Sequence, residues 1–130
     1  MLSIFFIGKL NQTNATISDS LSSGVECNIT FIDPAEFNTI PAIKNFRSLA
    51  ICDLSTIPGN PTDSVRTIRE IIADIPLLAM HRYLDMRFIQ PVMEAGANGY
   101  ISSTPAEKDL IEAVQKIAAG QDYIGTDSAL

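Results

Sequence analysis

Residues 49–80 read LAICDLSTIPGNPTDSVRTIREIIADIPLLAM, and the fold class follows from this stretch. Leu49 to Leu54 is a short apolar run broken only by Asp53, the pattern of a strand covered on both faces. Ser55 to Pro61 holds two prolines and a glycine and reads as a loop. From Thr62 onward Val65, Ile68, Ile71 and Ile72 recur at helical spacing, and Ile75-Pro76 closes that helix. Leu77 to Met80 is a second apolar run. A helix-length crossover between two strands that are apolar throughout implies a parallel sheet with helices on both faces.

The same alternation continues in both directions. Upstream, Ser3 to Ile7 is a strand, Leu10 to Gly24 carries Ile17 and Leu21 at i,i+4, and Cys27 to Ile32 is a further strand. Asp33-Pro34-Ala35-Glu36 has a cap residue, a proline and a glutamate in the order that opens a helix, which Pro41 limits. Downstream come a polar tip, His81 to Tyr83, a helix from Leu84 to Ala95 stopped by Gly96, and a very short strand, Gly99 to Ile101. Thr104-Pro105-Ala106-Glu107 is another capping box, opening a helix with Leu110, Val114 and Ile117 on one face and closed by Gly120. These five β/α units predict a three-layer α/β/α, doubly wound domain around a five-stranded parallel sheet. In such sheets reactive groups gather at the carboxyl ends of the strands. Those positions hold Gly8 and Lys9, Asp33, Asp53, His81, and Ser102 with Ser103.

At 130 residues the chain has the size of one domain, and 46% apolar with 18% charged residues excludes intrinsic disorder. Nine Lys and Arg against fifteen Asp and Glu give −6, a balance that repels phosphate backbones, so nucleic acid is not a direct partner of this segment. No apolar stretch approaches the roughly 18 residues of a membrane span, nor a signal segment, which leads to a cytoplasmic expectation. Cys27 and Cys52 lie in apolar runs and read as reduced thiols. The Asn-x-Thr triplets at Asn11, Asn14 and Asn28 carry no weight as glycosylation sites. His81 is the single histidine and lacks partners for zinc; it reads as an exposed loop residue, with a pH-sensitive role as the alternative. Arg82, Asp85 and Arg87 read as solvated charge. No phosphate-binding glycine loop and no Ser-His-Asp order are present.

Leu49 to Gly59, Pro76 to Ala79, and above all Ala95-Gly96-Ala97-Asn98-Gly99-Tyr100-Ile101 resemble the receiver domain of two-component response regulators. Ile117 to Ile124 resembles the end of the receiver in the LuxR/NarL-type branch, whose regulators carry a helix-turn-helix. The resemblance spans residues 3 to 124. It implies a flavodoxin-like fold with strand order 2-1-3-4-5, in which Cys27 and Cys52 are separated by a strand, roughly 10 Å apart, and cannot bridge. It also implies a receiver domain over residues 1–124 and, at 125–130, the start of a linker to a C-terminal DNA-binding output domain.

By the same resemblance Asp53 stands at the phosphoacceptor position and Tyr100 at the switch aromatic. The acidic pair that helps to hold Mg²⁺ is replaced by Gly8 and Lys9, the Thr or Ser slot by His81, and the Lys slot by Ser103. Mg²⁺ requires hard oxygen ligands, so its binding is expected to be weak or absent, and Ser103 offers the phosphoryl group only a neutral donor. The implied function is therefore an atypical, phosphorylation-independent regulatory or dimerisation module of a transcription factor in phosphorelay signalling, not an enzyme. A working Asp53 phosphoacceptor and a small-molecule or nucleotide sensor at the strand-end crevice are the alternatives. Implied partners are a second copy of the chain, a cognate histidine kinase or other signalling protein, and DNA only through the output domain. For Lys9 two placements are open: pairing with Asp53 in the space of the metal, or pointing into solvent.

Overall fold

The structure is a computed structural model and describes residues 2–39, 47–72 and 74–125. The order of elements is β1 (Leu2–Ile7), α1 (Gln12–Gly24), β2 (Cys27–Ile32), a 3₁₀ helix (Pro34–Thr39), β3 (Ser48–Asp53), α2 (Pro61–Ile71), β4 (Leu77–His81), α3 (Met86–Glu94), β5 (Gly99–Ser102), α4 (Glu107–Ala118) and β6 (Tyr123–Ile124). All paired strands are parallel, in the order β2-β1-β3-β4-β5-β6. The expected doubly wound sheet of order 2-1-3-4-5 is present, extended by a two-residue sixth strand whose backbone continues the pairing of β5.

Alternation along the central strands sorts side chains between two cores. Ile4 and Phe6, with Leu49, Ile51, Leu78 and Met80, face α1 and α4, where Ile17, Leu21, Leu110, Val114 and Ile117 cover them. Phe5 and Ile7, with Ala50, Cys52, Leu77 and Ala79, face α2 and α3, where Val65, Ile68, Ile89 and Val92 close the other side. Continuous apolar runs mark β1, β3 and β4, which are buried on both faces, whereas the edge strand β2 alternates half-buried and exposed residues up to the buried Ile32. At the amino-terminal edge, Arg69 of α2 donates to the carbonyls of Gly96, Ile72 and Ile75 at 2.7–3.2 Å and to Asn98 Oδ1 at 2.8 Å. Asn98 Oδ1 also accepts from the Leu77 amide, so one guanidinium ties the starts of β4 and β5 to α2.

Several expectations are corrected. The segment opened by Asp33 forms a 3₁₀ helix, with the Glu36 amide donating to Asp33 O; the limit set by Pro41 lies outside the described residues. The box at Thr104 does not cap α4: the helix starts at Glu107 after Ala106, with no side-chain cap, and the Thr104 amide turns back to Ser102 Oγ. The helix after Leu84 begins only at Met86, because Asp85 accepts from the Arg87 amide and acts as its cap. Both cysteines are free, but Cys27 is only half-buried. His81 is no loop tip: it ends β4, pairs in register with Ser102, and is 7% exposed.

Candidate functional site

At the carboxyl edge, β3 ends on Asp53, which is 4% exposed. A carboxylate so buried needs hydrogen-bond donors, and three reach it. Oδ2 accepts from Asn14 Nδ2 at 3.0 Å and Thr56 Oγ1 at 3.1 Å, and Oδ1 from the Ser55 amide at 3.2 Å. The second proton of the Asn14 carboxamide goes to the Lys9 carbonyl at 2.7 Å, while the Lys9 amide donates to Thr56 Oγ1 at 3.0 Å. Lys9, Asn14, Asp53 and Thr56 thus form a closed ring joining the β1–α1 loop to the β3–α2 loop.

The local sequence builds this ring. Asn11 caps α1 by accepting from the Asn14 amide at 2.8 Å, which fixes Asn14 in the first turn. Asn14, Ile17 and Leu21 lie on one helix face, and all three are buried. Gly8 leaves room for the ring, since a Cβ there would stand 3.0 Å from Asp53 Cβ and 3.2 Å from Thr56 Oγ1. The Lys9 side chain takes the solvent placement: the residue is exposed, and the ion pairs among the described residues are Arg66–Asp63, Arg87–Asp85 and Lys116–Glu112.

One strand over, His81 Nδ1 accepts from the Tyr83 amide at 3.4 Å, and its ring lies 5.1 Å from Tyr83 and 6.3 Å from Phe88. Burial, seconded by Arg82, holds the imidazole pKa below its usual 6.5, with Asp53 opposing. Tyr100 is fully buried and donates to the Tyr83 carbonyl at 2.6 Å; burial pushes its phenol up to about 12. Ser103 follows β5 and donates its amide to the His81 carbonyl at 3.0 Å. Cys52, beside Asp53, is a poor nucleophile, its thiol pushed up to about 12 by burial and then by the Asp53 charge. Asp33 accepts from the Ala35 amide and lines, with Lys9, Thr56 and Asp63, an open cleft of about 720 Å³ between the 3₁₀ helix and α2.

The structure brings Gly8, the Lys9 backbone and Asp53 together, and links His81, Tyr100 and Ser103 on the neighbouring strands. Asn14 and Thr56 were not singled out from sequence. The available signal for Asn14 was its i,i+3,i+7 relation to Ile17 and Leu21, which puts a carboxamide on the apolar stripe. Among the described residues no group of three or more His, Cys, Asp or Glu side chains converges as a metal-ligand set, and no helix is long and apolar enough to cross a membrane.

No family model matches the chain. The response regulator UvrY of Escherichia coli K12 is 29% identical over 86 residues, 65% of this chain and 39% of UvrY, so the chain spans about two-fifths of the length of the curated relatives it matches. A LuxR-family two-component response regulator from Aurantimonas sp. SI85-9A1 superposes with a TM-score of 0.81 at 20% identity, covering 98% of this chain and 91% of that one. The non-phosphorylated receiver domain of the stress response regulator RcsB from Escherichia coli gives 0.79 at 16% identity, covering 95% and 97%. The isolated RcsB receiver from Salmonella enterica serovar Typhimurium with the phosphomimetic BeF₃⁻ gives 0.78 at 16%, covering 98% and 95%. The architecture is that of a response-regulator receiver domain.

Proposed function

We propose that this chain is the receiver-type regulatory domain of a LuxR/NarL-type transcription factor in two-component signalling, and that it works without phosphoryl transfer at Asp53, through protein contacts. The observation that carries this is the ring at Asp53: the carboxylate already accepts from both Asn14 and Thr56 at Oδ2 and from the Ser55 amide at Oδ1.

The donor set does not fit Mg²⁺. The ion needs several oxygen ligands in near-octahedral array, whereas the Asn14 group turned toward Asp53 is an amide nitrogen, Gly8 supplies no side chain, and Lys9 offers no carboxylate. Phosphoryl transfer depends on neutralising charge at the transferring group, and the position that carries an ammonium in typical receivers holds Ser103. His81 fills the hydroxyl slot with a ring packed against Tyr83, its Nδ1 already accepting a hydrogen bond.

The receiver domain is assigned to residues 1–124, with Gly125 opening a linker toward a DNA-binding output domain; residues 126–130 lie outside those described. A cytoplasmic location and partners among a second copy, a histidine kinase or another signalling protein belong to the same proposal. The test is intact-mass analysis after incubation with Mg²⁺ and acetyl phosphate, beside an Asp53→Ala control. An unmodified mass is expected; a phosphoryl adduct lost in the control would overturn the proposal.

A further inference from the structure

The open cleft between the 3₁₀ helix and α2, about 720 Å³, lies within the roughly 300–1,000 Å³ of small-molecule sites. Its lining comes from the segments that follow β1, β2 and β3 and from the first two turns of α2. These strands are neighbours in the sheet, and the chain leaves β1 for α1 on one face and β3 for α2 on the other. That is the switch point at which open parallel sheets bind ligands. Pro34, Ala35, Ile57 and Pro58 make its surface largely apolar.

Three charged residues line the cleft, Lys9, Asp33 and Asp63. Asp63 is already paired with Arg66 at 2.9 Å. Lys9 and Asp33 follow the adjacent strands β1 and β2, about 5 Å apart, whose register ends on Ile7 opposite Ile32. Among the described residues neither is in an ion pair. One Asp33 oxygen accepts from the Ala35 amide at 2.9 Å, and the other is left for an incoming donor.

The first turn of α2 gives an anion nothing to hold. Pro61 has no N–H, Asn60 Oδ1 takes the amides of Thr62 and Asp63, and the Asn60 carbonyl takes that of Ser64. A phosphate ester would therefore meet one ammonium beside two carboxylates, and a bare amine would meet Lys9 beside Asp33. A molecule that carries both charges a short distance apart satisfies both side chains. We infer that this cleft binds a small zwitterion with an apolar body, a free amino acid with a large apolar side chain, its carboxylate on Lys9, its ammonium on Asp33 and its side chain against Pro34, Ile57 and Pro58. The Lys9 amide and the Thr56 hydroxyl also belong to the ring at Asp53, so such a ligand acts on the two loops that the ring joins. It gives the proposed regulatory domain an input that needs no phosphoryl group.

The inference rests on that proposal for its regulatory meaning, while the binding itself is tested apart from the phosphorylation assay. L-phenylalanine is titrated into the full 130-residue chain by isothermal calorimetry, beside hydrocinnamate, which lacks the ammonium, phenethylamine, which lacks the carboxylate, and glycine, which lacks the apolar body. Saturable binding of L-phenylalanine is expected, with each truncated probe about tenfold weaker or worse. Lys9→Gln and Asp33→Asn, both at exposed sites and checked for folding by circular dichroism, are expected to weaken L-phenylalanine to a similar degree; the asparagine keeps an oxygen for the Ala35 amide. Lys116→Gln, exposed on α4, is expected to leave binding unchanged. Absence of saturable binding, any truncated probe binding as well as L-phenylalanine, or either cleft variant binding like the unaltered chain would overturn the inference. An Asp53-dependent phosphoryl adduct alongside this ligand selectivity would remove the proposed function and leave the cleft; an unmodified mass without ligand binding would do the reverse.

Discussion

At the residue scale the decisive side chain is Asn14, whose carboxamide joins the buried Asp53 carboxylate to the Lys9 carbonyl and which, on the proposed function, makes Asp53 structural rather than reactive. Hydrogen bonds to charged groups contribute about 1.5–3 kcal/mol, so Asn14→Ala, which strips Asp53 Oδ2 to a single side-chain donor and frees the Lys9 carbonyl, should destabilise by about that much. Urea denaturation measures it. Ser55 behaves oppositely: its Oγ is buried without a hydrogen-bond partner. Ser55→Ala is therefore expected to be neutral or stabilising by up to about 1 kcal/mol in the same assay, because no hydrogen bond is lost. Gly8 shows why the ring cannot be undone by one acid. Gly8→Asp would set a Cβ 3.0 Å from Asp53 Cβ and a second carboxylate beside the first, and a loss of stability is expected.

At the scale of elements, the five longer strands were legible, because short apolar runs bounded by turn residues mark the strands of a parallel sheet, whereas the two-residue β6 is too short to leave such a run. Helix starts were less legible, since a capping box is a pattern of residue types while a cap is a geometry. Asn60 accepts from the Thr62 and Asp63 amides at 2.9 and 3.3 Å and caps α2, whereas Thr104, in the more conspicuous motif, caps nothing. Asn60→Ala should cost about 1 kcal/mol, and Thr104→Ala less than about 0.5 kcal/mol, a contrast readable from the two denaturation midpoints. His81 was misplaced for a related reason. A polar residue after four apolar ones looks like a strand end in solvent, but burial there comes from Tyr83 and Phe88 folding back over it, contacts that strand periodicity does not encode. Within the site, the positions at strand ends were legible from the topology rule; Asn14 was not, because its partner lies 39 residues away.

At the scale of the whole molecule, pH and phosphorylation chemistry test the account. The folded His81 pKa is depressed, so between that value and the unfolded value near 6.5 the unfolded chain binds more protons. Stability should fall as pH drops through 6.5 and stop falling on this account once folded His81 is itself protonated. His81→Gln should flatten this segment of the curve, with urea midpoints at several pH values as the readout. The central claim is that the carboxylate ring at Asp53 holds one state and offers no seat for a cation or phosphoryl group. The most direct measurement is a backbone amide NMR spectrum of the isotopically labelled chain with and without Mg²⁺ and BeF₃⁻. The account predicts superimposable spectra at Asp53, Ser55, His81 and Tyr100. Concerted shifts at those four positions that require both additives and vanish in Asp53→Ala would contradict it.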